Sequence, residues 1–343
     1  MKVLISYFTL LLFFLGCNST SDSILGIISE VSPTTSTDST QTKFELSSKI
    51  YGASVLDKDQ IFVVGEGVIY SSENSGQTWT TVLSSSETFF AITFQNKSVG
   101  YTVTEKSDVY RSLDEGNNWQ KITGQKVPAN ETYIGSDIIS NERYLVYSYN
   151  QYPNATQVDG HICLLEWESW ESTEVEWICP FIVGSFATNG GIYSLSSYQD
   201  KMPIYAGGNG RIFSIYDAND TFVNLHNLEE EMLIKGIALS DSANGLFVSG
   251  DKYLRLFDGN YSLSKSFNSA HQINDIAYLE DNIFVVVGDN GLVMYTKDYG
   301  NNWIDFNVST NNDLYSVTVS DKNIIITGDE IISVIDLDEF INN

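Results

Sequence analysis

Basic residues are scarce in this sequence. Lysine and arginine together number 18 against 44 aspartates and glutamates, for a formal net charge of -26. Arginine occurs only as Arg111, Arg143, Arg211 and Arg255. So negative a field repels phosphate backbones and anionic headgroups, which disfavours nucleic acid and a bare membrane surface as partners. Histidine is equally sparse. His161, His226 and His271 stand far apart with no cysteine or histidine at ligand spacing, so neither a metal site nor a catalytic histidine is expected. Phosphate loops are missing as well: "GGNGR" at 207–211 and "GDNG" at 288–291 lack the Gly-Lys-Ser/Thr ending and read as hairpin turns. No stretch after residue 16 is apolar for long enough to span a bilayer.

What is present begins with a short apolar segment. Lys2 gives it a positive start, and residues 3–16 are too few for a membrane span. It ends in Leu15-Gly16-Cys17, which resembles the lipobox of bacterial lipoproteins, although Phe14 stands where an aliphatic residue is usual. The resemblance implies a signal peptide at 1–16 and acylation of Cys17 as the new N-terminus. Acyl chains would hold a soluble domain at a membrane without a transmembrane helix. The expected location is the bacterial cell envelope, at the outer membrane or cell surface rather than the inner membrane. Residues 17–41 are rich in Ser and Thr and poor in large apolar side chains, as in a flexible tether. Residues 42–343 carry strand signals throughout with no second linker, and are read as one domain.

Those strand signals are short β-branched or aromatic runs, most of them closed by glycine: "IFVVG", "LFVSG", "IFVVVG", "NIIITG". A shared turn recurs along them, from Gly67 to Asn74, Ser107 to Asp114, Gly210 to Asp217, Asp251 to Asp258, Gly291 to Asp298 and Asp329 to Asp336. The spacing is near 40 residues except between Ser107 and Gly210, where two units fit. The segment from Asp159 to Glu166 is the candidate for the missing turn, in a unit swollen by the insertion "EWESWESTEVEW". This period matches a four-stranded propeller blade. The reading is an all-β, seven-bladed β-propeller. Its last unit runs one strand short, and residues 42–48 supply a spare strand that would close the ring.

Three of the turns share a fuller phrase: "SENSGQTW" at 72–79, "SLDEGNNW" at 112–119 and "TKDYGNNW" at 296–303. A hydroxyl (Ser72, Ser112, Thr296) and an amide or acid (Asn74, Asp114, Asp298) can bond turn N–H groups. A glycine (Gly76, Gly116, Gly300) can take a positive φ, and a tryptophan (Trp79, Trp119, Trp303) can pack between blades. The phrase resembles the Asp box, or BNR repeat, of sialidase-like propellers and of photosystem II assembly factor-like propellers. That resemblance implies a structural box on the face opposite any ligand. Its oxygens would also suit Ca²⁺, but the structural role is the expectation.

Chemistry is harder to find. Sialidases grip their substrate with three arginines, whose forked contacts lysine cannot replace. Here Arg111, Arg211 and Arg255 fall on third strands, away from a channel, and the Arg-Ile-Pro motif is absent. No catalytic residues and no cofactor are expected. Cys163 and Cys179 flank the insertion and are the candidate disulfide of an exported chain, with two free thiols as the alternative. The loops joining second and third strands, with those between blades, gather acids on one face: Glu66, Glu229, Glu230, Glu231, Asp251, Asp289 and Asp329. Lys58, Lys97 and Lys322 fall on the other. The expected function is a non-catalytic, lipid-anchored scaffold whose acidic face binds a protein with a basic surface. A glycan-binding or glycan-hydrolysing propeller is the alternative.

Overall fold

The computed structural model describes residues 30–31, 41–106, 108–124, 132–138, 145–150, 158–166, 174–186, 192–198, 201–208, 211–215, 223–227, 233–240, 245–258, 263–280 and 282–342. Cys17, the signal segment, nearly all of the tether and Glu229, Glu230 and Glu231 lie outside them.

The β-branched runs form strands, and those in the middle of a sheet are buried on both faces. Phe284–Gly288 and Asn323–Gly328 are buried at every position. This is why they read as unbroken apolar runs rather than as alternating ones. Two of the leading strands behave differently. In Ile273–Tyr278 only Ile273 and Ile276 are buried, and in Leu314–Val319 only Leu314 and Val317.

Four sheets have four strands each. One holds Ile192–Tyr198, Lys201–Gly208, Arg211–Ile215 and Val223–Asn227; the next holds Gly236–Leu239, Gly245–Gly250, Tyr253–Asp258 and Leu263–Asn268. A third holds Ile273–Tyr278, Phe284–Gly288, Val293–Thr296 and Ile304–Asp305. The fourth takes Leu314–Val319, Asn323–Gly328 and Ile331–Asp336 from the end of the domain and Gln41–Glu45 from its beginning. That early strand pairs antiparallel with Ile331–Asp336, from Gln41 opposite Ile335 to Glu45 opposite Ile331. Gln41 Nε2 donates to Val308 O at 3.1 Å and to Ser333 Oγ at 2.6 Å, fixing the register from the side.

The first part of the chain departs from separate four-stranded units and forms one 11-stranded sheet. Two features fuse it. Ile61–Ser72 runs straight through Glu66 and Gly67, and Trp79–Phe94 pairs with it on one half and with Gly100–Thr104 on the other. Further on, Glu174–Phe186 meets Gln120–Gly124 in parallel over two residue pairs. The insertion therefore becomes, in part, a strand that bridges the two halves of the sheet.

The leading strands stand side by side. Ile50–Val55 packs on Trp79–Phe94, and the contact passes to Thr132–Ile138, Ile192–Tyr198, Gly236–Leu239, Ile273–Tyr278 and Leu314–Val319. The last of these packs back on Ile50–Val55. The core lies between faces of successive sheets. One cluster joins Val285, Val287 and Tyr295 to Leu314, Ile324 and Ile326. Another joins Ile325, Ile332 and Val334, at the end of the chain, to Phe44, Ile61, Val63 and Trp79 near its start. A short helix, Leu337–Asn342, follows the last strand and buries Phe340 against Tyr295 and Phe306, with ring centroids 4.7 and 4.8 Å away.

Candidate partner-binding face

Six of the seven leading strands carry an irregularity in their pairing. In Ile50–Val55 the pairing steps from Ile50 to Gly52 and leaves Tyr51 out of the ladder. The same step skips Phe90, Ile134, Tyr193, Asn274 and Tyr315 in their strands. Lys235 precedes Gly236–Leu239 at the matching place. A β-bulge re-aims the extra residue and sharpens the local twist. Repeated on neighbouring strands, it collects the extra residues at one end of the strand row.

Three of these residues are aromatic and adjacent. Tyr51 stacks on Tyr315 with centroids 5.4 Å apart and an interplanar angle of 24°. On its other side it meets Phe90 at 5.1 Å. All three are part-exposed. The Tyr51 hydroxyl donates to Glu66 Oε1 at 3.2 Å, and burial followed by the Glu66 charge pushes its pKa up to about 12. Lys49 lies 3.2 Å from Asp329 Oδ1 and 3.4 Å from the Tyr315 hydroxyl, with its ammonium 5.9 Å from the Tyr315 ring centroid. The Asp329 bond, more than any other influence, raises its pKa.

The polar bulges continue the arc. Lys235 Nζ donates to Asn274 Oδ1 at 2.8 Å, and Asn274 Nδ2 donates to Asp289 Oδ1 and to Leu314 O, both at 2.8 Å. Asp313 Oδ1 accepts from the Asn290 N–H at 2.9 Å. Burial pulls the Lys235 pKa down, against the pull of Asp289, Asp251 and Asp313. Asp251, Asp289 and Asp329 lie between second and third strands, whereas Glu66, expected in such a loop, lies within the continuous strand Ile61–Ser72 because the backbone there keeps its extended pairing. Lys49 and Lys235 stand among them, which the sequence reading missed. Lys106 and Lys252, in the loops between second and third strands, add further cations to this face.

Asp275 follows the Asn274 bulge. Its carboxylate accepts from the Ile276 N–H at 2.8 Å and from the Val317 N–H of the next leading strand at 3.0 Å. Removal from water pushes it up to about 6 despite these bonds. The other sheets carry Gly52, Ala91, Gly135, Ser194, Gly236 and Ser316 at this place.

The three repeated turns lie at the other end. Their fourth residues, Ser75, Glu115 and Tyr299, have positive φ, and their N–H groups donate to Asp59, Ser98 and Asn282 in the loops between first and second strands. In each turn the hydroxyl accepts from the glycine N–H: Ser72 from Gly76 at 2.8 Å, Ser112 from Gly116 at 2.9 Å, Thr296 from Gly300 at 2.9 Å. The next unit back also grips the fourth residue. Lys322 Nζ donates to Ser75 Oγ at 2.9 Å, Gln60 Nε2 to Glu115 O at 3.2 Å and Lys265 Nζ to Tyr299 O at 2.8 Å. Gly116 has φ +83°, and a Cβ there would come 2.3 Å from the Phe62 ring of the earlier strand Ile61–Ser72. The turn therefore ties unit to unit.

The tryptophans differ from one another. Trp79 is fully buried and meets Phe44 edge-on at 6.0 Å. Trp119 and Trp303 are part-buried; Trp119 meets Phe94 edge-on at 5.9 Å and Trp303 lies tilted against Phe267 at 6.1 Å. Arg111 and Arg255 are buried on third strands, where Arg255 Nη1 donates to Leu254 O and Phe267 O. Arg211 opens another third strand, and Arg143 is outside the described residues. Cys163 falls between the pairs Ile162–Phe181 and Leu164–Ile178, opposite the Cys179–Pro180 step. Among the described residues no group of three or more His, Cys, Asp or Glu is placed to hold a metal ion.

No protein-family model and no curated protein sequence matches this chain. Solved structures do. YCF48 bound to D1 peptide superimposes with a TM-score of 0.68 at 16% identity, covering 89% of this chain and 97% of that one. The chain folds as a β-propeller. YCF48 from Cyanidioschyzon merolae gives 0.67 at 14% identity over 87% and 99% of the two chains. The WD40 beta propeller domain of Doa1 gives 0.64 at 9% identity over 85% and 94%. At these identities the likeness carries the propeller fold. In propellers generally, the sheets stand around a central channel.

Proposed function

We propose that this chain is a non-catalytic β-propeller that binds a protein partner through the face bearing Glu66, Asp289 and Asp329. The observation that carries the reading is the set of side chains collected there. Part-exposed rings of Tyr51, Phe90 and Tyr315 stand beside the carboxylates of Glu66 and Asp329. Aromatic side chains ringed by polar ones are the composition of protein interfaces. YCF48 bound to D1 peptide, a propeller holding a peptide, supports the same reading by analogy of fold.

The proposal includes the finer architecture. Taking Ile61–Ser72 and Trp79–Phe94 as two strands each gives seven four-stranded blades, with Gln41–Glu45 completing the last. The return of Leu314–Val319 onto Ile50–Val55 favours a closed ring. The repeated turns act as structural Asp boxes, and Cys163 and Cys179 form a disulfide. Cys17 carries the lipid anchor, residues 17–41 are the tether, and the domain works in the bacterial envelope on a partner with a basic surface. The same aromatics beside Glu66 favour a second reading, a glycan-binding propeller, because sugar rings also stack on tyrosine.

Affinity capture from detergent-solubilised envelopes tests the choice. A reproducible protein partner, absent from a propeller-free control, is expected. Binding to a glycan array with no captured protein would replace the scaffold reading with the second one. For the anchor, Cys17→Ser should abolish labelling by a fatty-acid analogue; equal labelling of both proteins would remove the lipidation claim.

A further inference from the structure

The bulged aromatics lie at the margin of the fold. Tyr51, Phe90 and Tyr315 belong to none of the buried clusters formed among the described residues. Being bulged, they also add nothing to the ladders of their strands. Large rings kept in partial contact with water, side by side, mark a surface that something else covers. The charge around them selects the class of occupant. Glu66, Asp313 and Asp329 surround the rings, in a chain of net charge -26.

The molecule also shows what this surface can hold. On the Tyr315 side, an ammonium, that of Lys49, sits between a ring and a carboxylate: 5.9 Å from the Tyr315 centroid and 3.2 Å from Asp329. On the Tyr51 side the same combination recurs. Glu66 is exposed, its hydrogen bond comes from the neutral Tyr51 hydroxyl, and it makes no ion pair among the described residues. Phe90 completes that side at 5.1 Å from Tyr51. Here a ring and a carboxylate face a place that no cation of the described chain fills.

We propose that the Tyr51–Phe90–Glu66 side of this surface receives an arginine or lysine side chain from an exposed segment of the partner protein. The cation lies against the aromatic faces and pairs with Glu66, as Lys49 does with Tyr315 and Asp329. Attraction to a ring face and a charge-assisted bond to the carboxylate act together in this arrangement. Lys49 is the built-in occupant of the neighbouring position and sets the spacing. The inference rests on the protein-binding reading above.

The test uses the full chain in detergent micelles and a fluorescent nonapeptide alternating arginine with serine. A glutamate–serine peptide and a neutral oligosaccharide serve as the other probes. The arginine peptide alone is expected to bind, and its affinity should fall several-fold from low to physiological salt. Glu66→Gln should weaken binding about 5–10-fold, in line with loss of one charge-assisted contact. Phe90→Ser should weaken it further. Glu66 is exposed, so its substitution leaves the fold intact and carries the test even if Phe90→Ser unfolds. Equal binding of the peptide by wild type and Glu66→Gln, or binding of the oligosaccharide in its place, overturns the proposal. Capture of an envelope partner equally by wild type and both variants overturns this site while leaving the scaffold reading standing. Capture by none overturns the scaffold reading itself.

Discussion

Position 74 is an amide where positions 114 and 298 are acids, and the structure shows why the exchange is tolerated. Asn74 Nδ2 donates to Thr78 Oγ1 at 2.9 Å. In the other two turns the polarity is reversed: Asn118 Nδ2 donates to Asp114 Oδ2, and Asn302 Nδ2 to Asp298 Oδ2, both at 2.6 Å. The amide has changed places and the bond has survived. Asp114→Asn alone should therefore set two amides against each other and cost about 1 kcal/mol. Adding Asn118→Thr should recover most of it, which urea melts of a double-mutant cycle would measure. Asp298, held down to about 2 first by the Asn302 N–H and then by the Asn302 side chain, contributes stability above the usual carboxylate range that disappears as pH falls through about 2.

Asp275 has the opposite sign. Its carboxyl is raised from 3.8 to about 6 in the folded chain, so between those values the folded state binds the extra proton. The contribution is fully present below the unfolded value and is lost as pH rises through about 6, a change of about 3 kcal/mol. Asp275→Asn should remove this slope from a plot of Tm against pH between about 4 and 7, whatever it does to Tm itself. A wild-type curve with no fall in that window would show that the carboxyl is not so displaced.

Among elements, the short strand Gln41–Glu45 and the turn ending in Trp79 form one unit. Phe44 from the strand lies edge-on to Trp79 and is fully buried beside Ile332 and Val334. Trp79→Ala should cost about 3–5 kcal/mol, the range for emptying a buried aromatic site. Trp119→Ala and Trp303→Ala should cost about 1–3 kcal/mol, because their rings already keep partial contact with water. Thermal melts of the three variants give the order. Equal costs would show that the rings serve one common role.

Much of this level was legible in the sequence, for a local reason. The bonds made within each repeated turn join residues at most four apart, so that part of its chemistry is written in consecutive letters. The unpaired segment at 42–48 could be matched to a last unit one strand short. The bulges were not found, although a signal exists. The triplets Ile50-Tyr51-Gly52, Phe89-Phe90-Ala91, Ile192-Tyr193-Ser194, Ile234-Lys235-Gly236 and Leu314-Tyr315-Ser316 share an apolar residue, a variable one and a small one. The middle residue ranges from tyrosine to lysine, so it repeats a position without repeating a residue type. The fusion of the early strands into one sheet was not legible either. It follows from where Glu66 and Gly67 continue a strand, a matter of backbone angle rather than of composition.

For the molecule as a whole, the net charge of -26 bears on stability as well as on partners. Like charges crowd when the chain compacts, and screening relieves them. Tm should rise between about 20 and 300 mM sodium chloride, since the Debye length shortens well below the spacing of distant carboxylates. Local pairs such as Lys97 with Asp57 and Lys322 with Asp59 pull the other way, but they are exposed and contribute little. A Tm that falls with salt would mean that the pairs outweigh the crowding.

The pairing of Gln41 with Ile335 also sets a timetable for synthesis. A ribosome makes the early strand long before its partner. In between, the nascent chain carries a finished run of strands with both outer margins open. Such margins recruit chaperones, proteases and strands of other copies. The chain must pass through that exposed interval each time it is made, and a ribosome stalled before Ile331 would leave it there.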